Sequence, residues 1–399
     1  MTVRISKPEF NLREKLSELD KSAGLKGSEL LKSETAQDAR TLVSAGRRNI
    51  IINGDFRIAQ RGTSSTSTGY KTVDRFKMAA GGGSGTLTQS QHALSSSDAP
   101  YSHGFRYSYH INNAGQNANT QGYVHMTYNT EAQDMAQSGW NYTSDTDHVT
   151  LSFWVKSSIA HTFLLSLYTA DGTPQDYNVL FPVQADTWKK IIVTVPGNPD
   201  ITFDNNNDYG LQIMFNPYLG SHYTSGSTVN SWRDHAGYTS RPDMDDKWWK
   251  TASTFEITGV QLELGQNATE FEHRSYGDEL LLCQRYYENV KGPSAEPTSA
   301  NETLIMLAHT YTSSRALGHF MFKAEKRTYP SIEVSSASNI QILTNSSGWS
   351  SAGSIAGNTN KYCTRVDLQS VSGSPLSNDH CGEVRITGSA VLGFNAEFS

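Results

Sequence analysis

The sequence predicts an all-β chain: a jelly-roll β-sandwich, then a short helix and a smaller C-terminal β-domain, with a partly helical N-terminal arm in front. Three observations carry this. Short strand-like runs recur through residues 48–275 with turn-rich clusters between them, the spacing of a sandwich rather than of a βαβ fold. Only 18% of the 399 residues are charged while 10% are aromatic, and Gly, Ser, Thr and Asn fill the intervening segments. The stretch HVTLSFWVKSS alternates cleanly, with Val149, Leu151, Phe153 and Val155 on one face and Trp154 on the other.

The arm, residues 1–47, contains NLREKLSELD, in which Leu12, Leu16 and Leu19 form a narrow apolar stripe on a charged helix. A helix this short is marginal alone and needs something to lie against. A second candidate opens with Thr35 and Asp38 as a capping pair and stops at Gly46. The arm has small apolar faces and no core of its own, so Leu12, Leu16 and Leu19 are its docking candidates.

The sandwich, residues 48–275, reads as strands over Ile50–Phe56, Val149–Val155, Lys189–Val195 and Phe255–Leu264, among others, with Gly259 inviting a bulge in the last. Trp188 reads as core. Function sits most readily in the two long segments between strands. Asn129–Thr146 carries Trp140 and Tyr142; Asn216–Thr254 carries Trp232, Trp248 and Trp249. A ring exposed on a loop stacks on the apolar C–H face of a sugar, while neighbouring Asn and Asp bond its hydroxyls. The competing reading is that these rings pin their own loops or fill a subunit interface. Adjacent Trp248 and Trp249 cannot both face inward if the backbone is extended, so one ring is expected outside.

Residues 276–292 read as helix and linker. Ser275 stands three residues before Asp278 as a cap, and Leu280, Cys283 and Tyr287 follow at helical spacing. Residues 293–399 open with a Pro/Ser-rich linker and continue as a β-domain of seven strand-like runs. Within it NSSGWSSAGSIAGNTN, Asn345–Asn360, reads as a small-residue loop with one aromatic, Trp349.

Composition excludes several classes. A net charge of −6 argues against nucleic acid as the main partner. No apolar run reaches membrane-spanning length and no signal-like start is present. Cys283, Cys363 and Cys381 make no disulfide framework and no zinc spacing. FDNNNDYG, Phe203–Gly210, lacks the glycine position and the final Glu of a calcium loop. No nucleophile elbow and no partnered histidine motif suggest catalysis, so no enzyme is expected.

The wording of several segments is familiar. TGVQLELG followed by ATEFEHRSYGDELLLCQRYY (Thr258–Tyr287) resembles a phrase of virion fibre proteins of tailed bacteriophages, where it closes a jelly-roll module. NIIINGDFRIAQRG (Asn49–Gly62), TVDRF (Thr72–Phe76), LSFWVKSS (Leu151–Ser158) and ADTWKKIIVTVPG (Ala185–Gly197) resemble its other strands, in order. The resemblance implies a virion appendage assembled in a host cytoplasm, a homotrimer held to other virion proteins by its N-terminus, and contact with host-surface glycan or protein. If the helix lies on a threefold axis, Leu280, Cys283 and Tyr287 are expected to face sister chains at coiled-coil-like spacing. Modules of the carbohydrate-binding type often hold a structural calcium between first and last strands, which here points to Asp55 and Glu263, against the plainer reading of two solvated acids. Three roles stay open: a receptor-binding fibre, a purely structural virion component such as a head fibre, decoration protein or tail adaptor, and a polysaccharide depolymerase.

Overall fold

A computed structural model describes residues 48–226, 228–237, 241–292, 302–344, 348–372, 376 and 380–398. The arm with Leu12, Leu16 and Leu19, and the linker 293–301, lie outside the described residues. Two six-stranded sheets form the sandwich. In spatial order the first runs Ser64–Ser65, Leu87–Ala93, Tyr107–Asn113, Ser253–Leu264, His148–Ser157 and Lys189–Pro196. The second runs Trp232–Asp234, Gln175–Val183, His161–Thr169, Tyr209–Leu219, Tyr123–Glu131 and Phe76–Gly81. Alternation sends Val149, Leu151, Phe153 and Val155 inward, and rings close the gap between the sheets. Phe153 meets Phe215 at 4.9 Å and Phe163 meets Phe255 at 4.8 Å, both edge to face.

Ile50–Phe56, expected as a strand, is a buried turn instead. Asn53 and Phe56 sit at φ 60° and 58°, which no ladder accepts. Side chains replace the missing ladder bonds. Asn53 Nδ2 donates to the carbonyls of Ile58 and Asp74, both at 2.9 Å, and its Oδ1 accepts from Ile58 N. Asn49 does the same towards Ile51, Val260 and Leu262. Gly54 packs so close that a Cβ would lie 2.0 Å from the Val260 carbonyl oxygen. The expected bulge is present: Gly259 has φ 65° and the register slips between Thr258 and Gln261.

Asp74 lies beneath this turn, fully buried. Burial pushes its carboxyl up to about 6, against the opposing pull of Arg61 and the hydrogen bonds from Gln60. An acid that holds its proton more tightly folded than unfolded contributes stability at low pH and loses it as pH rises. The loss spans about pH 4, the ordinary carboxylate value, to about 6. Urea denaturation of wild type and Asp74→Asn at pH 4 and pH 7 checks this. The variant is expected to lack roughly 2–3 kcal/mol of the wild type's decline over that range.

The helix spans Tyr276–Gln284, and Ser275 Oγ accepts from Asp278 N at 3.2 Å, the expected cap. Its other expected role is overturned. Cys283 and Tyr287 are buried and Leu280 is half-buried, the helix packing Cys283 and Leu280 against Ile52, Ile58, Tyr286 and Phe398 of its own chain. Cys283 and Tyr287 have no face left for a sister chain. The outward apolar residues are Tyr276 and Leu281.

Tyr287–Lys291, expected as the end of the helix and linker, is a strand. It pairs with Val391–Asn395, which pairs in turn with Ser331–Val334. A seven-stranded antiparallel sheet packs on these three. Its order is Gly348–Ser351, Ile340–Thr344, Cys381–Thr387, Glu302–Thr312, Arg315–Met321, Cys363–Gln369 and Ser354–Thr359. Gly348–Ser351 and Ser354–Thr359 fall in the stretch read as a loop. Ser, Gly and Asn have low strand propensity, but the neighbouring strands supply the ladder. Cys283, Cys363 and Cys381 are all free thiols. Among the described residues no helix is long and apolar enough to cross a membrane.

Sandwich and C-terminal domain are joined by a buried ionic seam. Arg75 donates to Glu397 Oε2 at 2.5 Å and to the Asn129 carbonyl at 2.6 Å, with its guanidinium 3.4 Å from the centre of the Tyr286 ring. Glu131 accepts from Arg285 Nε and Nη2 at 2.6 and 2.7 Å and from the Tyr286 hydroxyl at 2.6 Å. Burial alone would raise the Glu131 carboxyl; those donors bring it below the usual range. Arg327 binds the carbonyls of Ala396 and Glu397 and covers Phe398.

Candidate functional site

The outer face of the first sheet concentrates polar and aromatic side chains in two rows set by strand register. Ser90 pairs with His110, His110 with Glu256, and Glu256 with Lys156. In the next row His92 pairs with Ser108, and Thr258 with Trp154, which pairs with Lys190. Period-two alternation puts all of these opposite the core residues Val155, Ile257 and Tyr109.

One end of this face is fixed by its own bonds. Glu256 is buried, its Oε2 accepting from Ser108 Oγ at 2.8 Å and lying 3.0 Å from His92 Nδ1. His110 is held below the ordinary histidine value, mainly by burial, with Glu256 opposing. Asp98 ties the turn Ala99–His103 over the sheet. Burial would raise its carboxyl, but donors from Ser95 and Trp188 Nε1, and the Lys156 ammonium 3.5 Å away, bring it down to about 2. Trp188, expected in the core, is therefore half-buried on the outer face. Its indole N–H needs an acceptor, and Asp98 provides it at 2.7 Å.

The other end is open. A pocket of about 360 Å³ lies over the Gly259 bulge, walled by Trp154, His103, Phe271 and His273, with Lys190 and Glu270 also lining it. His103 lies against the Trp154 ring at 5.3 Å, and His273 Nε2 is 2.9 Å from the His103 carbonyl oxygen. Phe105 seals the floor between Phe271 and Gly259, where a Cβ would strike its ring at 2.6 Å. The bulge needs glycine both for its positive φ and for this contact. Such a pocket offers an aromatic wall, an ammonium donor and a carboxylate acceptor, the complement of a pyranose ring with its hydroxyls.

The residues singled out from sequence lie elsewhere, and most are packed. Trp248 and Trp249 are both fully buried. They occupy a helical turn, Lys247–Lys250, where successive side chains diverge by far less than in a strand and both reach the core. Trp248 Nε1 donates to the Thr254 carbonyl and Trp249 Nε1 to that of Asn117, while Trp249 stacks on Tyr218 at 4.8 Å. Neither is a surface contact nor an interface plug. Trp140 is buried beside Phe203, and Tyr142 packs half-buried on the same ring. Trp232 is half-buried against Tyr177 and donates to the Pro196 carbonyl at 2.7 Å. Trp349, in the C-terminal domain, lies half-buried under the Arg385 guanidinium at 3.7 Å.

The expected calcium carboxylates have protein partners. Asp55 is ion-paired with Arg57, and Glu263 accepts from Gln261 Nε2 and from both the backbone and hydroxyl of Thr269. No cluster of three or more His, Cys, Asp or Glu suited to a metal occurs among the described residues. The outward turn of Trp154 was readable from alternation; the turns Ala99–His103 and Glu270–His273 that make a pocket around it were not.

No family model matches the sequence, and no curated protein matches it closely. Among solved structures the chain is similar to the enzymatically active domain of tailspike protein 4 of bacteriophage CBA120, at 11% identity and TM-score 0.29. That match covers 54% of this chain and only 21% of the tailspike chain. It is also similar to CBM4, at 12% identity and TM-score 0.29, over 53% and 98% of the two chains. A family 11 carbohydrate-binding module from a cellulosomal cellulase of Clostridium thermocellum matches at 12% identity and TM-score 0.27, over 51% and 96%. TM-scores this low carry no weight for function.

Proposed function

We propose that the chain is a fibre or spike protein of a tailed-bacteriophage virion, a homotrimer held to the particle by residues 1–47, which contacts glycan on the host surface. The pocket at Trp154 carries the glycan part of this reading, because an indole wall beside Lys190 and Glu270 suits a sugar ring. The phrases shared with fibre proteins support the virion setting. The role is binding, without catalysis: the chain holds polymer and leaves it intact.

Affinity electrophoresis against purified host surface polysaccharide tests the reading. Trp154→Ala should weaken binding by about 1–3 kcal/mol, the range for aromatic stacking on a base. Trp232→Ala, whose ring packs on Tyr177, serves as a control that leaves binding unchanged. Equal affinity of wild type and Trp154→Ala for every polymer bound would remove the pocket from the account.

A further inference from the structure

We propose that a second saccharide site lies on the other sheet of the sandwich, between its strands His161–Thr169 and Gln175–Val183 and the acidic segment 242–247. This rests on the glycan reading above and extends it from one contact to two. A pocket of about 420 Å³ lies there, lined by His161, Leu180, Pro182, Asp243, Asp245 and Lys247 among others. It shares no residue with the pocket at Trp154.

Strand register builds one wall. His161 pairs with Val183, and Thr162 with Pro182. Phe181 and Val183 belong to the core, so Leu180 and Pro182 point outward by alternation. They give the pocket an uncharged carbon surface, which suits the C–H face of a sugar ring. The other wall is the segment 242–247. Asp243 Oδ1 accepts from the Thr224 hydroxyl at 2.8 Å, and Asp245 Oδ1 accepts from Lys247 N at 2.6 Å. Each carboxylate is oriented through one oxygen, and Oδ2 of each has no hydrogen bond among the described residues.

A run of acids alone would mean only a solvated loop. His161 is the observation that points to a guest. It is 8% exposed, its ring packs edge to face on Phe163 at 4.8 Å, and its Nε2 has no hydrogen-bond partner. Burial holds this imidazole below the ordinary histidine value, with Asp245 opposing, so the ring is neutral at neutral pH. A buried nitrogen without a partner costs stability until something supplies one. The polar groups together select the chemistry. A hydroxyl both donates and accepts, so it serves the two carboxylates, the Lys247 ammonium and either tautomer of His161. An anion would meet two acids, and a cation would meet Lys247. A polyhydroxylated, uncharged ring satisfies all of them, and two sites on one chain hold a polymer at two points.

Titration calorimetry of the full chain with short oligosaccharides cut from purified host surface polysaccharide reads the outcome. Wild type is expected to bind two equivalents. Leu180→Asp and Asp245→Ala should each weaken one of them at least tenfold with unchanged far-ultraviolet circular dichroism, since both side chains are exposed. Trp154→Ala should weaken the other. A single equivalent that Trp154→Ala abolishes means that this pocket holds water alone; it overturns the second site and leaves the first standing. Two equivalents indifferent to Leu180→Asp and Asp245→Ala overturn the placement here. A single equivalent lost in Leu180→Asp and kept in Trp154→Ala upholds this site and removes the pocket at Trp154. Absence of any binding overturns both.

Discussion

Replacing Arg75 with alanine should destabilise the fold by about 3–5 kcal/mol, the range for removing one partner of a buried ion pair. Arg75 is fully buried, and removing it takes away the closest donor of Glu397 and leaves it only the longer ion pair with Arg61, at 3.6 Å. Burial works against the Arg75 charge, but Glu397 and the surrounding tyrosines hold its pKa well above the ordinary value, so the guanidinium stays charged. Glu397 belongs to the last described segment of the C-terminal domain and Arg75 to the sandwich, so the damage falls on the seam. Calorimetry should show one cooperative transition in wild type and two in Arg75→Ala. A single unshifted transition would mean that the seam carries no stability.

Trp249→Ala should cost about 3–5 kcal/mol as well, the range for deleting a large aromatic from a core. The ring is fully buried, stacked on Tyr218 and bonded to the Asn117 carbonyl. A Cβ at Gly122 would lie 2.6 Å from it and one at Gly83 would lie 3.0 Å away, so both glycines serve close packing here. The lost volume cannot be refilled without moving backbone. Thermal unfolding should shift down strongly, whereas binding of glycan by the protein that remains folded should match wild type. Loss of binding at unchanged melting temperature would return Trp249 to the list of contact residues.

Trp154 and Trp249 look alike in sequence, one in a strand of clean alternation and the other in a long polar segment. Alternation is a local property of a strand, so the outward direction of Trp154 was legible. The direction of Trp248 and Trp249 depends on whether the backbone there is extended or helical. A four-residue turn flanked by PDMDD has no periodicity long enough to announce itself. The same limit hid Ile50–Phe56, whose apolar run is strand-like in composition but is held as a turn by the side chains of Asn49 and Asn53.

By itself the sequence determined the all-β class, most strands of both domains, the bulge at Gly259 and the cap at Ser275. Each of these is decided within a few residues, by period-two alternation, a positive φ or one side-chain-to-backbone bond. Only the tertiary structure decided that Cys283 and Tyr287 face their own chain, that Tyr287–Lys291 joins the C-terminal sheet, and that Trp154 sits in a pocket. These depend on which distant segments meet: Arg75 with Glu397, His103 with Trp154, Tyr287 with Asn395. Pairing at such separation is chosen by the burial of the whole core, a quantity no local stretch encodes.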